Sequence, residues 1–109
     1  MRSRKSSGRL KKPKLLMIRR VAGSSMVPSL YAGRIVYATN LYAMLNRGDI
    51  IIIWHQGIEK IKRIQAIDGD RLYVVGDNQL ASTDSRAFGW LDRSVVRGKV
   101  IWPRRSVKS

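Results

Sequence analysis

Short apolar runs separated by clusters of turn-forming residues set the rhythm of this chain from about residue 15 onward. Leu15 to Val21, Arg34 to Ala38, Asp49 to Trp54, Ile58 to Ile67, Leu72 to Val75 and Val95 to Trp102 are rich in β-branched residues, which suit a pleated surface, and each predicts a strand. Ala32-Gly33, Asn46-Arg47-Gly48-Asp49, Gln56-Gly57, Asp68-Gly69-Asp70 and Arg97-Gly98 predict the turns between them. At period two, Ile58, Lys60, Lys62 and Ile64 share one face and Glu59, Ile61 and Arg63 the other, so Lys62 falls on the same side as apolar residues. Leu41 to Leu45 is too short to stand as a helix, and no internal repeat is present. The expected fold is mostly β: a compact single domain whose sheet folds on itself as a pseudo-barrel.

Length and composition narrow the chemistry. A chain of 109 residues has room for one modest core. It carries no Cys and one His, which excludes disulfides, thiolate metal sites, cysteine nucleophiles and a His-rich metal site. Neither a metal nor a cofactor is expected, and any catalysis must rest on Ser, Lys, Asp or Glu.

The formal charge is +15, from 22 Lys and Arg against 7 Asp and Glu, and it is unevenly placed. Arg2, Arg4, Lys5, Arg9, Lys11, Lys12, Lys14, Arg19 and Arg20 all fall within residues 1–20, which contain no acidic residue. Residues 1–14 therefore read as a disordered basic arm, 15–104 as the folded domain and 105–109 as a tail. The arm is either a solvated tail or a peripheral contact for nucleic acid, anionic lipid or an acidic protein. The apolar runs Leu15 to Ile18 and Ile50 to Trp54 fall far short of the ~20 residues of a spanning helix. Arg19-Arg20 also cuts off any secretory h-region, so the expectation is a cytoplasmic protein without a transmembrane anchor.

Three polar blocks can carry chemistry. Gly23-Ser24-Ser25-Met26-Val27-Pro28-Ser29-Leu30 follows a strand and contains a Pro. A Ser on such a turn, with backbone N–H groups nearby, is a nucleophile candidate with an oxyanion site, although most such serines are plain turn residues. A serine nucleophile needs a base. His55 sits beside a turn without an obvious partner and reads as a solvated or core-edge residue. Lys62 is the alternative, because burial on an apolar strand face lowers a lysine pKa; against it stands the ordinary reading of a lysine as an exposed charge. The third block is Gly76-Asp77-Asn78-Gln79-Leu80-Ala81-Ser82-Thr83-Asp84-Ser85-Arg86-Ala87-Phe88-Gly89. It is either a surface loop or an internally hydrogen-bonded one, in which Asp84 pairs with Arg86 or Arg63 and Ser82 holds a lysine amine.

In this order the blocks read Gly-x-Ser-Met-x-Pro-x-Leu, Lys-Arg-Ile-x-x-x-x-Gly-Asp and Gly-Asp-Asn-x-x-x-Ser-x-Asp-Ser-Arg-x-x-Gly. Together they resemble the serine/lysine peptidases of the type I signal peptidase family over about residues 18–103. The resemblance implies the catalytic-core fold of that family, with Ser25 as nucleophile, Lys62 as general base, Ser82 orienting the lysine amine and Asp84 and Arg86 as a supporting ion pair. It further implies an oxyanion site around Gly23 and the Ser25 N–H, where Gly23 replaces a second hydroxyl donor of some members, and substrate contacts at Met26 and Pro28.

Only 13 residues separate Lys62 from Gly76, where most of the family has a large β-rich insertion. With the Ala-Ser-Thr-Asp-Ser-Arg-x-Phe-Gly run and the terminal Val-Ile-Trp-Pro, this looks like the subgroup that matures nickel superoxide dismutase. The partner so implied is a propeptide-bearing protein precursor. Two rivals are processing of secretory preproteins and, in a different class, a basic β-barrel that binds nucleic acid, with Trp54, Tyr73 and Trp90 as stacking platforms. Charge and aromatics are generic signals, whereas three ordered polar blocks are not, so no nucleic acid is expected to be obligatory.

Overall fold

A computed structural model describes residues 16–103, apart from Ala43, Ser82 and the side chain of Ala81. The basic arm, the tail and the expected lysine-orienting Ser82 lie outside the described residues. The strands are β1 (Met17–Arg20), β2 (Ile35–Thr39), β3 (Ile50–His55), β4 (Ile58–Asp68), β5 (Arg71–Val75), β6 (Leu91–Asp92) and β7 (Val96–Trp102). One short helix, α1 (Ser85–Phe88), precedes β6. All seven strands form one antiparallel sheet in the order β1-β2-β7-β3-β4-β5-β6. This is the mostly-β, single-domain architecture that the apolar runs predict.

The run Ile50-Ile51-Ile52-Ile53 explains where the core lies. It occupies the middle strand, β3, and all four side chains are buried because both sheet faces are covered there. Ile51 and Ile53 join Leu45, Ile64, Leu72, Val74 and Leu91 on one face. Ile50 packs with Val21, Met26, Leu30 and Val36 on the other, and Ile52 with Met17 and Ala38 beside them. The β3–β4 hairpin turns at Gln56-Gly57, both at positive φ (54° and 80°), the two-residue turn whose twist matches antiparallel strands.

The sheet curls until its first strand meets its fifth. Arg19 of β1 bonds both carboxylate oxygens of Glu59 on β4, Nε to Oε1 at 2.6 Å and Nη2 to Oε2 at 3.3 Å. Two strand edges face this crossing without a partner among the described residues: the outer edge of β1, and residues 58–62 of β4, since β5 pairs with β4 only from Arg63 onward.

Leu41 to Leu45 forms no helix at its described positions, as its length predicts. One local detail differs from the sequence reading. Ile58 is 56% exposed at the hairpin end, so the apolar surroundings of Lys62 come from Ile51, its cross-strand partner, and Ile64.

Candidate active site

The serine turn is a loop pinned at its base and filled from beneath. Val21 N–H donates to Arg34 O at 2.8 Å and Gly33 N–H to Val21 O at 2.8 Å, which closes the loop between β1 and β2. Within it, Val27 N–H donates to Ser24 O and Leu30 N–H to Met26 O, a single helical turn that buries Met26 and Leu30 at 1% exposure each. Met26, expected at the substrate, is thus a core anchor of the turn in the free chain. Ser25 is half-buried and Pro28, which follows a cis peptide bond, is exposed. Gly23 adopts φ 75°, a left-handed conformation that a side chain disfavours, two residues before Ser25.

Lys62 sits at mid-strand on the Ile51 and Ile64 face with 4% of its surface exposed. Desolvation is the largest influence on its amine and holds its pKa below the ordinary lysine value. The Asp84 carboxylate opposes this, while the Lys60 and Arg86 cations reinforce it. Lys60 shares the strand face two residues away. Its Nζ lies 3.2 Å from His55 Nδ1, 3.3 Å from Gln56 Oε1 and 5.2 Å from the centre of the Phe88 ring. His55 therefore has partners after all: it stacks against Phe88 at 4.3 Å, and burial followed by the Lys60 charge pushes its own pKa down.

The loop after β5 ties the serine turn to the lysine strand. Asn78 N–H donates to Ser25 O at 2.7 Å, and its side-chain amide donates to Ser24 O at 3.1 Å. One residue earlier, Asp77 receives Arg63 Nε at 2.9 Å and Nη2 at 2.8 Å, and Ser29 Oγ donates to the same carboxylate. Arg63 also reaches Gly48 O at 2.7 Å. Asp77 thereby couples the residue next to Lys62 to the far end of the serine turn, and Asn78 holds the near end.

Asp84 completes the support. It is 1% exposed, caps α1, and accepts from Gly76 N–H at 2.7 Å, Arg86 N–H at 3.1 Å, Arg86 Nε at 3.0 Å and Arg86 Nη2 at 2.6 Å. Ser85 Oγ accepts from Val74 N–H at 2.9 Å, so the start of α1 is fastened to β5. Of the two arginines open to Asp84 in the sequence, Arg86 takes it and Arg63 takes Asp77. Asp84→Ala strands a buried N–H and a cation, and is expected to cost about 2 kcal/mol, a fall of roughly 10 °C in Tm. A scanning calorimetry trace unchanged from the parent would refute this.

A short elbow on a strand end, a desolvated lysine and a carboxylate-braced loop converge on one part of one sheet. The chain matches the Peptidase S24-like family over residues 3–101. It belongs to that family. The human mitochondrial inner membrane protease subunit 1 is 30% identical over 111 residues, covering 75% of this chain and 67% of the relative. The Arabidopsis thaliana mitochondrial ATP-independent inner membrane protease subunit 1a is 30% identical over 115 residues, covering 76% and 68%. This Peptidase S24-like chain is accordingly a serine-type peptidase of the signal peptidase kind, acting on protein. No helix among its described residues is long and apolar enough to cross a membrane.

Sequence reasoning named Gly23, Ser25, Met26, Pro28, Lys62, Ser82, Asp84 and Arg86, weighed Arg63 only as a partner of Asp84, and passed over Asp77, Asn78, Ser29 and Lys60 as site residues. Arg63 next to the candidate lysine, with two polar residues directly after Gly76, was the available signal. Which of the four charged residues Arg63, Asp77, Asp84 and Arg86 would pair depended on how the loop after β5 folds back.

Proposed function

We propose that this S24-like peptidase is an endopeptidase with a Ser25/Lys62 dyad that trims a short N-terminal segment from a protein precursor. The observation that carries the reading is the burial of Lys62 on an apolar strand face beside a loop hydrogen-bonded to the Ser25 main chain. A neutral Lys62 amine takes the proton of Ser25 Oγ as that oxygen attacks the scissile carbonyl. The resulting oxyanion is stabilised at the Ser25 N–H beside Gly23. Lys62 then gives the proton to the leaving amine, and water, deprotonated by the same amine, releases the acyl group. Ser82 orients the amine, and no step calls on a cofactor. The substrate enters as an extended strand between the unpartnered edges of β1 and β4, with main-chain hydrogen bonds supplying affinity.

The substrate we favour is a nickel superoxide dismutase precursor in the cytoplasm. Support for it is the Ala81–Gly89 run, the Val100–Pro103 end and the short Lys62-to-Gly76 connection. A second reading, processing of preproteins at a bilayer, draws on the relatives named as inner membrane proteases and on a basic arm suited to anionic lipid. Purified chain is to be incubated with the dismutase precursor, and separately with a secretory preprotein with and without anionic vesicles. We expect cleavage of the first without lipid, little changed by deleting residues 1–13. Cleavage of the preprotein alone, and only with vesicles, would favour the second reading. An inert preparation towards both would count against the dyad.

A further inference from the structure

At the far end of the gap between β1 and β4 lies an open groove of about 330 Å³, lined by Met17, Arg19, Asn40, Trp54, Glu59 and Arg97. Both of its flanks lead to the candidate active site. β1 continues from Arg19 through Val21 into the serine turn, and β4 runs from Glu59 to Lys62 in three residues, about 10 Å of strand. The groove holds two guanidinium groups and one carboxylate. Arg19 takes both oxygens of Glu59, which leaves Arg97 as the groove's uncompensated charge. Arg97 is exposed, lies over the Trp54 ring at 5.4 Å, and has no acidic partner among the described residues. Trp54 is itself 45% exposed, and its ring attracts the guanidinium and steadies it beside the groove.

We infer that this groove is a specificity subsite for an acidic side chain of the substrate peptide, with Arg97 on Trp54 as the residue that selects it. The inference rests on the peptidase reading above for its substrate. A peptide laid along β4 from Lys62 reaches the groove three to four residues from the scissile bond, and a carboxylate there meets Arg97 in the bidentate geometry that guanidinium favours. A basic side chain at the same place meets the uncompensated Arg97 cation.

The test separates binding from cleavage. Fluorescein-labelled dodecapeptides, alanine-rich and carrying one Glu, Gln or Lys at successive positions, are titrated by anisotropy onto full-length Ser25→Ala chain, and the same peptides are incubated with the parent chain. The expected result is that Glu at one position binds about three- to tenfold tighter than Gln, and Lys weaker than either. The preference should disappear in Arg97→Gln, whose Tm stays that of the parent, and should return in part in Arg97→Lys. Cut peptides should place that position three to four residues from the scissile bond. An equal Glu advantage at every position that survives Arg97→Gln would reduce the effect to general attraction by a +15 chain and overturn the subsite. So would the absence of any preference, or of any binding. Positional binding dependent on Arg97 but without cleavage would keep the subsite and remove the proposed dyad instead.

Discussion

Ser25→Ala is expected to lower precursor cleavage by about a thousandfold or more while leaving Tm within a degree or two of the parent. The turn that presents Ser25 is held by main-chain atoms: Ser25 O and Ser24 O receive Asn78, and Val27 and Leu30 close the helical turn from below. None of these bonds uses the Ser25 hydroxyl, so its removal deletes the attacking atom and little else. Ser24→Ala is the matched control. Ser24 contributes its carbonyl rather than its side chain to the Asn78 contact, and the variant should cleave at a rate close to the parent's. Product formation followed by mass spectrometry, with thermal melts on the same samples, decides the point. If Ser24→Ala were inert and Ser25→Ala active, the nucleophile would be one residue earlier than proposed.

How much of this was legible in the sequence depends on whether the information was local. The six long strands could be placed to within a few residues because β-branched runs and Gly-containing turns are read from neighbours in sequence. The two-residue β6 and the four-residue α1 escaped notice. Neither has a periodic pattern of its own, and α1 exists because Asp84 caps it and Ser85 fastens it to β5. The burial of Lys62 could be anticipated from period-two alternation, but one of its expected neighbours, Ile58, lies too near the hairpin end to cover it. Apart from Asp84–Arg86, the long-range polar contacts were the least accessible feature. Arg63 and Asp77 are 14 residues apart, Ser29 and Asp77 are 48 apart, and Arg19 and Glu59 are 40 apart. The Arg63 contact needs β5 paired to β4, and the Arg19 contact needs the sheet to curl. Met26 shows the converse case: its place beside Ser25 suggests a substrate role, and what only the fold reveals is its packing with Val21, Leu30 and Val36 as the floor of the turn.

Lys62 offers the second large effect, because one property of its amine acts on both rate and stability. Its pKa is held below the ordinary lysine value, chiefly by burial, with Asp84 pulling the other way and Lys60 and Arg86 adding to the depression. Activity should therefore climb with pH through that lowered pKa and level off before the ~10.4 of a free lysine, as the base becomes neutral. Lys62→Arg should be inactive at every pH tested, since a guanidinium stays protonated. Rate retained in that variant would remove Lys62 from the mechanism. For stability, the folded state binds fewer protons at this residue than the unfolded state between the two pKa values, so this contribution grows more favourable as pH rises through that window. Below the window the buried amine is charged and its desolvation opposes folding in full; above it the opposition vanishes. Lys62→Met, similar in length and without charge, should consequently be inactive yet melt higher than the parent at pH 6, and the gap should narrow steadily as the melts are repeated towards pH 10. A gap that is absent, or that widens with pH, would mean that the Lys62 amine is paired strongly enough to stay charged in the folded chain. It could not then serve as the base.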